Sequence, residues 1–160
     1  MTIKEILDEF QQQQLISDGT IGHIQTDDEL RIAFVHHFRQ HKDRAFALAL
    51  LDRFIAIRKE PNGRMPAEDL MLACYILALH HQIEDSLKIW EAKNTDFDTY
   101  CAVDIQLVPF AGVKETIAFL KIQSTEEGKQ ALDYVTDCAK CGDFDNLDEY
   151  FSKNALPWFI

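Results

Sequence analysis

LHHQIEDSLKIWEAK, residues 79–93, decides the fold. A polar turn leads into an amphipathic helix that carries Leu87 and Trp90 on its apolar side. Thirty residues on, the pattern returns, and it returns again after thirty more. Gln82 aligns with Gly112 and Gly142, Leu87 with Ile117 and Leu147, and Trp90 with Leu120 and Tyr150. Upstream of the turn, Leu72 aligns with Ala102 and Leu132, Tyr75 with Ile105 and Val135, and Ala78 with Val108 and Cys138. Each unit therefore reads as a first helix of roughly 15 residues, a tight turn and a shorter second helix, a helical period that marks a stacked array. Glycine suits the turn, because a left-handed residue ends a helix there without a Cβ clash.

Moving outward, the whole chain carries helical spacing. Ile3, Ile6, Leu7 and Phe10 form one stripe, opened by a Thr2–Glu5 capping box. Ser17-Asp18-Gly19 and Gly22 read as a break, and Thr26 with Glu29 as the start of a helix bearing Leu30, Phe34 and Phe38. A helix from Asp43 carries Phe46, Leu50, Phe54 and Ile57, and Pro61-Asn62-Gly63 ends it. Pro66 suits a first helical turn, and Ser124 with Glu127 is a third capping box. Residues 104–110 (DIQLVPF) alternate briefly, but Pro109 argues against a central strand. The expected fold is all-α, one domain over residues 1–160. It consists of an extra N-terminal helix, stacked antiparallel helical hairpins near 26–57, 67–93, 97–122 and 126–153, and an apolar tail at 154–160.

Composition narrows the function. With 160 residues, 47% apolar and 27% charged, the chain has the make-up of a folded soluble domain. No apolar run reaches the length that spans a bilayer, and the start is amphipathic, so a cytoplasmic protein without a membrane partner is expected. The net charge of −11 argues against nucleic acid. That charge grows along the chain, from −2 over Met1–Glu60 to −4 over Pro61–Tyr100 and −5 over Cys101–Ile160. Arg39, Lys42, Arg44, Arg53, Arg58, Lys59 and Arg64 outnumber the acids around them, which suggests a basic shoulder opposite an acidic end.

Residues 79–93 resemble the hairpin of tetratricopeptide and related HEAT-like α-solenoid repeats, and the likeness extends over Ala67–Ser152 in three units. It is a resemblance of architecture, and it implies the general role of such repeats, the binding of other proteins.

The chemistry-bearing residues are few. Cys138 and Cys141 form a single Cys-x-x-Cys, half of a four-thiolate zinc site, and Cys138 occupies a core register position. Cys74 and Cys101 fall at apolar positions of their own helices. His37 and His41 share a helix face without a carboxylate beside them, and His41 and His80 suit helix C-termini. No metal and no cofactor is expected. Asp104 interrupts an apolar register, so it should cap a helix or pair with a cation. Arg31 and His36 give an Arg-x4-His spacing similar to that of small all-α endoribonucleases. That resemblance implies a phosphate held by Arg31 and a proton moved by His36.

The last hairpin offers a different reading. Asp143, Asp145, Asp148 and Glu149 surround Phe144, Tyr150 and Phe151, an acidic rim around aromatic anchors that suits a basic protein partner. Leu156-Pro157-Trp158-Phe159-Ile160 reads as a lid over the end of the array. Small size, strong acidity and the lack of a catalytic motif look like bacterial immunity proteins, which implies neutralisation of a basic toxic enzyme. A secretion adaptor or chaperone would share these features.

Overall fold

A computed structural model describes all 160 residues. Ten α-helices and one 3-10 turn make up its secondary structure, with no strand. They are α1 (Ile3–Gln13), α2 (Asp18–Thr26), α3 (Asp28–Gln40), α4 (Arg44–Lys59), α5 (Ala67–Ala78), α6 (Asp85–Lys93), α7 (Phe97–Ala102), α8 (Val113–Lys121), α9 (Glu126–Cys141) and α10 (Leu147–Tyr150), with the 3-10 turn at Ile105–Leu107. The fold is all-α, as the spacing predicts, and its packed helices are compatible with a helical repeat.

Helix α5 is the axis of the molecule. Every residue from Asp69 to Ala78 is buried, and α3, α4, α6, α7 and the 3-10 turn pack around it. A helix apolar all round is stable only inside a core. Each Leu, Ile or Met it buries contributes about 1.5–3 kcal/mol. Phe34, Phe38 and Phe46 stack with centroids 5.7–5.9 Å apart, and the Phe10 edge meets Phe46 at 5.4 Å, which joins α1, α3 and α4 into the same core. That core runs from Ile6 to Phe159. The register partners Leu87, Ile117 and Leu147 all pack against it, half-buried.

Caps explain where helices start. The Thr2–Glu5 box forms as expected. The second expected box shifts by one residue: Asp27 caps α3 by accepting from the Leu30 N–H at 3.0 Å, while the Thr26 hydroxyl donates back to the Gly22 carbonyl. The reason is α2, which the sequence does not announce. Gly19 and Gly22 sit inside it, and burial of Thr20, Ile21 and Ile24 outweighs a penalty of about 1 kcal/mol per glycine. Since α2 ends at Thr26, Asp27 closes one helix and opens the next. The Ser124 box likewise moves to Thr125, whose hydroxyl accepts from the Gly128 N–H.

The thirty-residue pattern keeps a positive φ near each turn and varies in its helices. Gly142 ends α9 in the left-handed region at φ 83°, and Gly112 precedes α8 at φ 112°. In the first unit the left-handed position falls to His81, at φ 55°. The second unit departs furthest from expectation. Its first helix, α7, has six residues instead of roughly 15: Val103 turns extended at φ −74°, ψ 123°, and the chain crosses by the 3-10 turn. Cys101, placed at an apolar position by the register, is accordingly exposed.

Candidate interaction surface

The C-terminal tail is tied down by two arginines of α3. Buried Arg31 pairs with Asp69 of α5, reaches the Ile24 carbonyl at 3.4 Å and donates to the Phe159 carbonyl at 2.8 Å. Gln25 adds a second donor to Asp69, at 3.1 Å. Arg39 donates to the carbonyls of Ser152, Lys153 and Ala155 at 2.7–3.3 Å and to the Tyr75 hydroxyl at 2.9 Å. Phe151 stacks on Tyr75 with centroids 5.6 Å apart, and buried Phe159 meets the same ring at 6.2 Å. The tail covers α5.

Asp104 holds the other end of this strap. It lies just past α7 and accepts from the Tyr150 hydroxyl at 2.9 Å and the Trp158 indole at 2.6 Å, so two aromatic donors take the place of the expected cap or cation. Burial, with the Asp104 charge beside it, pushes the Tyr150 phenol above its ordinary range. Lys93, the last residue of α6, is buried without an ion pair. Its ammonium donates to the Tyr100 and Val103 carbonyls at 2.6 and 2.7 Å, which satisfies the end of α7, and lies 5.2 and 5.6 Å from the Tyr100 and Tyr134 ring centroids. Burial lowers its pKa from that of an exposed lysine.

These contacts divide the expected binding residues. Phe144 is 8% exposed, and Tyr150 and Phe151 are half-buried in the contacts just described. Their rings are engaged by the fold because a hairpin this short has only those residues to cover its own end. Asp143, Asp145, Asp148 and Glu149 all face solvent. None of them forms an ion pair, so the rim is outward while the anchors point in.

Arg31 and His36 are not brought together. Arg31 is 6% exposed and committed to Asp69, whereas His36 is exposed. Five residues along a helix separate two side chains by about 140°, so they share no face. Four of the seven cations of the basic shoulder are likewise answered within the fold: Arg44 by Asp85, Arg53 by Asp18, Arg58 by Asp96 and Lys59 by Glu91. Arg58 holds the Asp96 carboxyl down at about 2. The His37 and His41 rings lie 4.6 Å apart, and no group of three or more His, Cys, Asp or Glu side chains is placed to hold a metal ion. His80 meets the helix end as expected: its Nδ1 bonds the Ile76 carbonyl at 3.0 Å, and its Nε2 accepts from the Asp43 N–H at 3.0 Å. That pair of bonds fixes a neutral ring, and burial pushes its pKa below the ordinary value.

A second aromatic group lies at the edge of the core, with Trp90 buried and two tyrosines half-exposed. Trp90, Tyr100 and Tyr134 meet edge to face or tilted, with centroids 5.3–5.5 Å apart. Two shallow hollows flank the tyrosines, one of about 370 Å³ beside exposed Asp133 and Asp137 and one of about 470 Å³ beside Asp143. Burial and the neighbouring phenol and carboxylate raise the Tyr134 hydroxyl to about 12, and burial with Asp143 raises the Cys138 thiol to about 11. The sequence carries one sign of this site, Asp133 and Asp137 an α-turn apart around Tyr134. The partners Trp90 and Tyr100 lie on other helices and leave no local pattern.

Compared with known protein families, curated proteins and solved structures, the chain matches none.

Proposed function

We propose that this chain is a non-catalytic protein-binding module of helical-repeat type, acting in the cytoplasm as an acidic inhibitor that neutralises a basic toxic enzyme by direct contact. One observation carries the reading. The carboxylates Asp143, Asp145, Asp148 and Glu149 are exposed without a cation, whereas Arg44, Arg53, Arg58 and Lys59 each meet a carboxylate of the chain itself. Unanswered like charges repel one another and draw in an opposite surface, which speeds encounter with a basic protein. The ribonuclease alternative loses its support because its phosphate-holding arginine is buried in an ion pair. An adaptor or chaperone for secretion is the second reading, favoured by the same exposed acids.

The test is affinity capture with the full chain at low salt, followed by activity assays on what it retains. A single stoichiometric basic enzyme whose activity vanishes in the complex, with binding that weakens as salt rises, is the expected result. Recovery of several secretion components instead favours the adaptor. RNA cleavage by the isolated chain, lost in His36→Ala, overturns both.

A further inference from the structure

The proposed partner needs a contact that does more than steer, and the buried rings of the last hairpin do not offer one. We propose that the hollow between α6, α7 and α9 receives an arginine side chain of a basic protein, its guanidinium lying against Tyr134 between Asp133 and Asp137. This deepens the inhibitor reading and rests on it for the identity of the partner.

Three independent features converge there. The first is the wall: half-buried Tyr100 and Tyr134, with buried Trp90 packed against Tyr134, present aromatic surface on which a planar cation can stack. The second is the rim: Asp133 and Asp137, one helical turn apart on α9, are both exposed, and only Lys140 engages either, at 3.2 Å in a pair about 70% exposed on both sides. Such a pair is weak and readily exchanged. The third is Trp90 itself. It lines this hollow, is 3% exposed, and its indole N–H meets no acceptor. A buried donor without a partner is costly, and a ligand seated in this hollow changes the surroundings of that N–H.

Lys93 lies against the same two tyrosines, and its charge must be set against the proposal. Its ammonium is satisfied by two main-chain carbonyls and is buried, while Asp133, Asp137 and Asp143 all face the hollows from outside. Carboxylates outnumber cations around the opening. A volume of about 370 Å³ accommodates a guanidinium with its aliphatic stem. An acidic or phosphorylated ligand would meet like charge at this rim, so nucleic acid is disfavoured at the same place.

The experiment titrates the isotope-labelled full chain with acetyl-Gly-Arg-Gly-amide and follows its two indole N–H resonances. The chain has two tryptophans, and Trp158, bonded to Asp104, serves as the internal reference. A saturable shift of the Trp90 signal, with Trp158 unmoved and no shift from acetyl-Gly-Leu-Gly-amide, is expected. Asp133→Asn with Asp137→Asn should weaken binding by at least about fivefold, whereas Asp148→Asn with Glu149→Gln should leave it within about twofold. Lys140→Ala should tighten it by freeing Asp137. All four carboxylates are exposed, so these variants keep the fold. Equal loss in both double variants, or no movement at Trp90, overturns the proposal. The two readings separate cleanly. Peptide binding at Trp90 without any inhibited enzyme would leave the site standing and remove the inhibitor. An enzyme inhibited at full strength by the Asp133→Asn, Asp137→Asn variant would do the reverse.

Discussion

Between Asp18 and Asp98, charge stitches the molecule together; beyond Ile122 it is left facing outward. In the first region Arg31, Arg44, Arg53, Arg58, Lys59 and Lys88 each find a carboxylate from another helix or the loop beside one. In the second, eight carboxylates share three lysines, and one ion pair forms, between neighbours on α9. Both regions are acidic by composition, so total charge does not separate them. What separates them is where the opposite charge lies, and a region whose carboxylates have no internal answer is the one with attraction left for a partner.

Breaking that contrast from the stitched side gives the largest effects. Arg31→Met leaves Asp69 buried without its cation and should cost about 3–5 kcal/mol in urea unfolding. Arg31→Met with Asp69→Leu should recover part of that loss, since removing both charges also removes the desolvation penalty. Lys93→Met should cost about 2 kcal/mol, because the Tyr100 and Val103 carbonyls lose their donor. A smaller effect follows pH. The folded pKa of His80 lies below its ordinary 6.5, so the unfolded chain takes up the proton first. The contribution is complete above that value and is lost as pH falls from it toward the folded pKa. His80→Gln should flatten that part of the decline in thermal unfolding between about pH 7 and 5. The smallest effect sharpens the comparison from the other side: Asp148→Asn with Glu149→Gln should change stability by no more than about 0.5 kcal/mol.

The helices were legible because their spacing is local, and the site was not because its assembly is distant. Thr2 with Glu5, Phe34 with Phe38 and the turns at Gly112 and Gly142 all declare themselves within a few residues. Helix α2 was hidden by two glycines whose cost is met by buried isoleucines, a matter of tertiary packing. The short α7 was hidden by a register that matched side chains but not the backbone at Val103. The aromatic residues at 144, 150 and 151 read equally well as anchors or as core, because sequence gives hydrophobicity without direction. Burial of Phe144 and the stacking of Phe151 on Tyr75 decide it. Trp90, Tyr100 and Tyr134 come from three helices, and only the pleating of those helices together makes them one wall.

The bond from Arg31 to the Phe159 carbonyl spans 128 residues, and those from Arg39 to the same strap span 113 to 116. Loops of that length close late, since their entropy must be met before their contacts reward it. Arg31 and Asp69 are only 38 residues apart and can pair before the strap arrives. The pairings predict an order of assembly, a core around α5 first and its cover afterwards. In amide hydrogen exchange, residues 152–160 should open at a free energy well below that of α5, as the last piece to dock and the first to leave.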